Sequence, residues 1–325
     1  MLIRWLIPIM ALIGLLWGNV FVSYPTAFTG WETLKALWGM GDELAQITII
    51  EMRLPRSLTA MALGAQLALA GALLQTMTRN PLASPSLLSV NSGASLGMVI
   101  ATVIFPRLFS GYSMAWITTL GGGLSWLWVM WLGGAFRPQS HRQKLILAGV
   151  TVSLFCGALT QMVIIIAEDH AANVLSWLAG GVAHVRWVEW KQIAPFLGGS
   201  ALFVLCYSAK LNVLQLSDES AQTLGINLKR MRWLVNGVAL LLVGSAVSVA
   251  GALSFIGLLM PHLARYWIGY DLRKALPMSM ILGACLMLSA DMLARTVAFP
   301  REIPTGAILA LIGAPVFVWF ARRRA

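Results

Sequence analysis

The sequence predicts an all-α, polytopic membrane protein of about ten transmembrane helices, with both termini on the cytoplasmic side and an inverted repeat. Three observations carry this. The 325 residues are 58% hydrophobic and only 11% charged, with a mean hydropathy of +0.79, whereas soluble domains are about a quarter charged. Apolar windows recur ten times, at roughly 5–22, 57–77, 87–105, 113–134, 145–167, 192–209, 233–249, 252–268, 277–298 and 304–321. Lysine and arginine are shared unequally between alternate connections, 15 on the side of the N-terminus against 8 on the other. That bias places the N-terminal side in the cytoplasm. No composition shift divides the chain, which reads as a single transmembrane domain over 1–325.

The first window has Arg4 and then an apolar stretch to Phe21, the outline of a signal peptide. No small-residue cleavage site precedes Ser23-Tyr24-Pro25, and further spans follow, so it is expected to be a retained helix. The second begins at Arg53, Pro55 and Arg56 and runs without charge from Ser57 to Met77, about the 20 residues that cross ~30 Å of hydrocarbon. Gly64, Ala68, Gly71 and Ala72 suit close helix packing more than lipid contact. The span breaks at Arg79-Asn80-Pro81 and again at Ser84-Pro85. Prolines there leave backbone groups without helical partners, which lipid does not tolerate. The break must lie in water, in protein or along a polar path. Pro261 and His262 interrupt the eighth window, which reads as a short or partly re-entrant helix. Trp31, Trp177, Trp187 and Trp190 fall near outer boundaries, as interfacial anchors do. The repeat rests on Ala70-Gly71-Ala72-Leu73 recurring as Ala250-Gly251-Ala252-Leu253, each glycine followed ten residues later by a proline, Pro81 and Pro261. An even number of spans would set the two copies in opposite directions, as in inverted-repeat transporters.

The formal net charge of +11 sits in short connections and records orientation; no soluble domain carries a face for nucleic acid. Cys156, Cys206 and Cys285 lie in apolar spans without a CxxC pair, and the histidines have no metal-ligand spacing, so no metal site and no disulfide framework is expected. The carboxylates fall at span ends or in loops, except Asp291, which sits one helical turn before Arg295 at the spacing of a local ion pair. An ion-coupled carrier would keep titratable groups near the midplane. No GxxxxGK[ST] occurs and none of the lysines follows a glycine, so no cofactor or catalytic residue is expected here, and any ATP must be bound by another polypeptide. An ion-coupled carrier and a non-transport membrane anchor are the alternatives. The first lacks midplane carboxylates; the second needs no docking element.

Such an element is present. From Ser217 through Asp218, Glu219 and Ala221 to Leu224, Gly225 and Asn227 runs the longest polar stretch of the cytoplasmic side. Ser217 suits an N-cap, Asp218 and Glu219 the first turn, and Gly225 the C-cap, giving a short helix, a turn and a second short element before Lys229. With no motor in the chain, this is the expected point of attachment for one.

RLPR (Arg53 to Arg56), GAQLALAGALLQ (Gly64 to Gln75), RNPLASPSLLSVNSGASLG (Arg79 to Gly97), the loop from Leu214 to Gly225, SFIGLLMPHLAR (Ser254 to Arg265) and IPTGAILALIGAPVFVW (Ile303 to Trp319) resemble the permease family of ATP-binding-cassette importers for iron chelates and cobalamin. Within it, LILAGV (Leu145 to Val150), AEDHA (Ala167 to Ala171), WLAGGVAHVRW (Trp177 to Trp187) and the Arg322-Arg323-Arg324 ending are most similar to ferric dicitrate permeases. The resemblance implies a bacterial inner-membrane location and ten helices per permease. It also implies a second permease, a paralogue forming a heterodimer, with two cytoplasmic ATPase subunits and a periplasmic substrate-binding protein. Arg53, Arg56 and Arg295 match arginines that meet acidic residues of the binding protein, and 217–227 matches the coupling helices seated in the ATPase. Asn80, Pro81 and Asn91 fall in the motif at the broken span, the expected translocation path. His141-Arg142-Gln143 matches the cytoplasmic gate, bulkier and more basic here than the small hydroxyl residues of cobalamin relatives.

Overall fold

The computed structural model describes residues 2–21, 28–105, 114–134, 142–166, 174–216, 218–224 and 227–322. Among them there is no strand, and the apolar helices follow the ten windows. They are α1 (Leu2–Phe21), α4 (Leu54–Thr78), α5 (Val90–Val99), α6 (Met114–Leu132), α7 (Arg142–Ile166), α8 (Trp187–Val213), α10 (Leu228–Ala250), α11 (Ile256–Ile268), α12 (Leu272–Thr296) and α13 (Thr305–Arg322). Most outrun their windows because polar first and last turns, such as Leu228–Arg232 and Leu272–Lys274, continue the helix beyond its apolar part. Two short helices, α2 (Gly30–Leu37) and α3 (Glu43–Gln46), precede α4, and a π-helical stretch Ile47–Arg53 joins α3 to α4. The windows miss this region. Its start is set by a capping box in which Glu32 N–H donates to Thr29 Oγ1 at 3.3 Å and Thr29 N–H to Glu32 Oε2 at 2.8 Å. A six-residue helix, α9 (Asp218–Thr223), separates α8 from α10.

Long-range polar contacts show which helix ends lie together. Asn19, Arg56, Asp291 and Glu302 meet at one end, the cluster end. Arg4 with Trp267, Arg79 with Leu214 and Asn212 with Asp271 meet at the other, the α9 end. Hence α1 and α12 run toward the cluster, while α4, α8, α11 and α13 run away from it. Both Leu2 and Arg322 lie at the α9 end, as an even number of crossings requires.

The centre is α4. In its most apolar stretch 89% of residues are buried, against 17% in α1 and 28% in α7 and α8; the latter turn their apolar side chains outward. Close approach replaces side-chain packing around α4. A β-carbon on Gly64 would collide with the Gly283 carbonyl of α12, and one on Gly71 with the Gly257 carbonyl of α11, so both crossings need a missing side chain.

The two chain breaks differ in how they satisfy the backbone. After α4, Arg79 enters the left-handed region at φ +47°. Asn80 Oδ1 then accepts from Leu82 N–H at 3.0 Å, and Ser84 Oγ from Leu87 N–H at 3.2 Å. Ala83, Ser84, Leu88 and Ser89 are buried, so this break lies in protein. In α11 Pro261 removes the N–H that would reach the Gly257 carbonyl. Gln75 Nε2 donates there instead at 3.3 Å, and to the Leu258 carbonyl at 3.1 Å. At 13 residues α11 is short, as its proline and histidine foretold.

The recurring Ala-Gly-Ala-Leu does not mark equivalent elements. Residues 70–73 are mid-helix in α4, whereas 251–254 are non-helical, with Gly251 at φ +68°. What does recur is a long helix, a non-helical connector and a short helix. Each short helix is entered through a left-handed residue, Ser89 (φ 61°) before α5 and Phe255 (φ 68°) before α11.

Candidate functional site

At the cluster end, α4 begins with Arg56 pointing inward. Its Nη2 lies 2.7 Å from Asp291 Oδ1 on α12 and 3.0 Å from Glu302 Oε2, while Nη1 donates to Glu302 Oε1 at 3.1 Å. Arg295 Nη2 pairs with Asp291 Oδ2 at 3.1 Å, the i,i+4 pair its spacing predicted. Its guanidinium also donates to Asn19 of α1, to the carbonyl at 3.2 Å and to Oδ1. Two guanidinium groups, Arg56 and Arg295, therefore face two carboxylates, Asp291 and Glu302. Arg53 donates to the Val20 carbonyl at 3.2 Å and lies over the Phe28 ring. Arg53, Arg56, Arg295 and Asp291 are only 3%, 8%, 2% and 0% exposed. Burial on that scale requires pairing and hydrogen bonds at once.

The structure places Arg53, Arg56 and Arg295, the expected docking residues, away from solvent. All three point into the protein and are committed to α1, α12 and the segment before α13. Among the described residues, Lys35, Arg186, Lys191 and Arg301 are cations left exposed at this end. The tryptophan anchors divide similarly. Trp31 is 67% exposed, whereas Trp187 Nε1 donates to the Ile50 carbonyl at 3.0 Å and Trp177 and Trp190 pack on the core.

Beside the cluster lies a cavity of about 920 Å³ whose wall includes Glu302, Thr305, His184, Glu189, Gln192 and Trp177. Glu302 belongs to both, since its carboxylate holds Arg56 while its side chain remains 22% exposed. Asn80 and Pro81 are half-buried at the α4 break. Asn91 is buried and is not in the cavity wall; it braces the two breaks, donating to Ser86 Oγ and to the Leu253 carbonyl, each at 3.2 Å. Arg142 and Gln143 open α7; their side chains, like His141, lie outside the described residues.

At the opposite end α9 forms where the polar loop was expected to be helical. Ala221 is fully buried and Leu224 is 61% exposed, so one face packs on the protein and an apolar residue projects away. Ser217 and Gly225 lie outside the described residues, as do the side chains of Asp218 and Glu219. The second short element is not separate: Asn227 Oδ1 accepts from Arg230 N–H at 3.0 Å and caps α10 directly. Among the described residues no group of three or more His, Cys, Asp or Glu could hold a metal.

This architecture and these motifs coincide with a known family. The model of the FecCD transport family matches residues 6–323. The chain belongs to the FecCD transport family. The Fe(3+) dicitrate transport system permease protein FecC of Escherichia coli (strain K12) is 51% identical over 321 residues, 98% of this chain and 97% of that one. The Fe(3+)-citrate import system permease protein YfmD of Bacillus subtilis (strain 168) is 40% identical over 293 residues, covering 90% and 86%. Among solved structures, a metal-chelate type ABC transporter in an inward-facing conformation superposes with a TM-score of 0.81 at 30% identity, covering 97% of each chain. This FecCD protein is therefore an integral membrane transport subunit.

Asn19, Glu302 and the pairing of Asp291 with Arg56 escaped sequence reading because each contact joins residues more than 200 positions apart. Asp291 gave only its local signal. The spacing of Asp271 before Leu272 is a readable N-cap, but its contact with Asn212 is not.

Proposed function

We propose that this FecCD permease is the membrane-spanning subunit of an ATP-binding-cassette importer that carries iron(III) dicitrate from the periplasm into the cytoplasm. The observation that carries this reading is 51% identity to the E. coli dicitrate permease along nearly the whole of both chains. The α9 end faces the cytoplasm and the cluster end the periplasm, in agreement with the basic residues near the α9 end. Two ATPase subunits bind below, one of them on α9 through Leu224. A paralogous second permease completes the path, and a periplasmic binding protein delivers the chelate at the inner membrane. The iron arrives already coordinated as cargo, and the chain needs no cofactor of its own. The binding protein's carboxylates meet the exposed Arg186, Lys191 and Arg301, while the buried arginines hold the face beneath them in shape.

The test is uptake of radiolabelled iron in cells lacking their own dicitrate permease, supplied with this chain and its neighbouring transport genes. Dicitrate-dependent accumulation abolished by excess unlabelled iron(III) dicitrate, but not by excess haem or cobalamin, is the expected result. Uptake competed by haem or cobalamin instead would reassign the cargo.

A further inference from the structure

The turn that leads from α8 into α9 is gripped from two sides. On one side, Asn212 Nδ2 donates to Asp271 Oδ1 at 2.7 Å while Asn212 Oδ1 accepts from Leu272 N–H at 2.8 Å, the first amide of α12. Gln215 Nε2 adds bonds to Asn212 Oδ1 at 3.1 Å and to the Tyr270 carbonyl at 3.3 Å. On the other side, Arg79 at the end of α4 donates from Nε to the Leu214 carbonyl at 3.1 Å. A single amide thus uses both of its ends at the start of α12, while Leu214 is held by α4 and Gln215 by the segment before α12.

The two helices that grip this turn are also joined to each other. The helices α4 and α12 touch backbone to backbone at Gly64 and Gly283. At their far ends Arg56 of α4 is paired with Asp291 of α12. Each has 25 residues, about 37 Å of helix. Between the bracket and the cluster there is no soft layer of long side chains at that crossing that could absorb a displacement. The cluster in turn includes Glu302, which forms part of the cavity wall.

We propose that Asn212 is a positioning residue that fastens the α9 docking helix to the α4–α12 pair, so that movement imposed on α9 reaches the cluster and cavity at the opposite end. The proposal rests on the reading of α9 as the ATPase contact. It gives Asn212 a role that burial alone would not: the residue is only half-buried, and its carbon skeleton contributes little to the core. Loss of the bracket should leave the ATPase bound and hydrolysing, but with less of its motion delivered.

The experiment uses the complete reconstituted importer and reads iron(III) dicitrate imported per ATP hydrolysed. Asn212→Asp sets a second carboxylate against Asp271. The exchanged pair, Asn212→Asp with Asp271→Asn, can remake the side-chain pair and the Leu272 and Gln215 bonds with donor and acceptor reversed between the two side chains, giving up only the Arg273 N–H that Asp271 Oδ1 also accepts. The single variant is expected to lower the import-to-hydrolysis ratio by about fivefold or more with the ATPase co-purifying in full yield, and the exchanged pair to restore it. Should Asn212→Asp assemble poorly, Asn212→Ala is read in the same way against wild type. An unchanged ratio overturns the proposal, and so does a fall that the exchange does not repair. A merely structural Asn212 would reduce assembly, hydrolysis and import together and leave their ratio constant. Absence of ATP-dependent import by the wild-type assembly would instead strike down the functional reading, and this inference with it.

Discussion

Arg56 shows how far a single residue's meaning depends on what the fold brings to it. In sequence it stands at the mouth of an apolar span, where a guanidinium is well placed for a partner protein. In the structure it is the hub between two carboxylates, one on α12 and one before α13. Arg56→Ala leaves the fully buried Asp291 to Arg295 alone and takes Arg56 away from Glu302, and removing one partner of a buried pair costs about 3–5 kcal/mol. A large fall in the unfolding temperature of the detergent-purified protein is expected. The exposed Arg301→Glu should stay within about 0.5 kcal/mol of wild type yet weaken binding-protein capture in a pull-down. The opposite pattern, a stable Arg56→Ala that loses capture, would restore the arginines as the docking surface. The Asp291–Arg295 pair was legible because it is local, one helical turn apart. Its connection to Arg56, 235 residues away, carries no periodic or spacing signal and becomes visible only once α4 and α12 are side by side.

At the scale of elements, hydropathy and proline placement revealed most of the architecture, and the reasons for the misses are physical. Windows stop at charge, but helices do not: the basic first turn of α10 is helical because Asn227 caps it. The stretch from α2 to the π-helix was missed since neither segment is apolar enough to register, although the Thr29–Glu32 capping box was there to be read. The proline in α11 was read as an interruption, and the structure shows how Gln75 makes it tolerable. Gln75→Leu leaves the Gly257 and Leu258 carbonyls without that donor, a cost of about 1–3 kcal/mol. Pro261→Ala returns an N–H to Gly257, so the same leucine substitution should cost less in that background when both are followed by thermal unfolding. Equal costs in the two backgrounds would dissociate Gln75 from the kink. The α12 cap makes a pH prediction. The Asp271 carboxyl is held below its ordinary value by the Asn212 amide first and by the Arg273 N–H second. The folded chain therefore binds this proton more weakly than the unfolded one, and the contribution is complete above the unfolded carboxylate value of ~4 and fades as pH falls through the lower folded value. Asp271→Asn keeps the cap acceptor but removes the titration. Its stability deficit relative to wild type should shrink on acidification; a deficit independent of pH would contradict the assignment.

For the whole molecule, the ion cluster at one end and α9 at the other are joined through the α4–α12 pair. Leu224, 61% exposed at the end of α9, is where force is expected to enter. Leu224→Asp should leave the helices folded but reduce recovery of the ATPase in co-purification, and full recovery with wild-type import would show that α9 has no such partner. The central claim, that this permease forms the path for iron(III) dicitrate in an ATP-driven importer, is tested most directly in proteoliposomes. These would hold the chain with its paralogue, its ATPase and its binding protein, and the measurement is accumulation of radiolabelled iron(III) dicitrate. The account predicts accumulation that requires ATP, the binding protein and this chain together, and that survives collapse of proton and sodium gradients. Accumulation driven by an ion gradient without ATP, or no difference when this chain is left out, would contradict it.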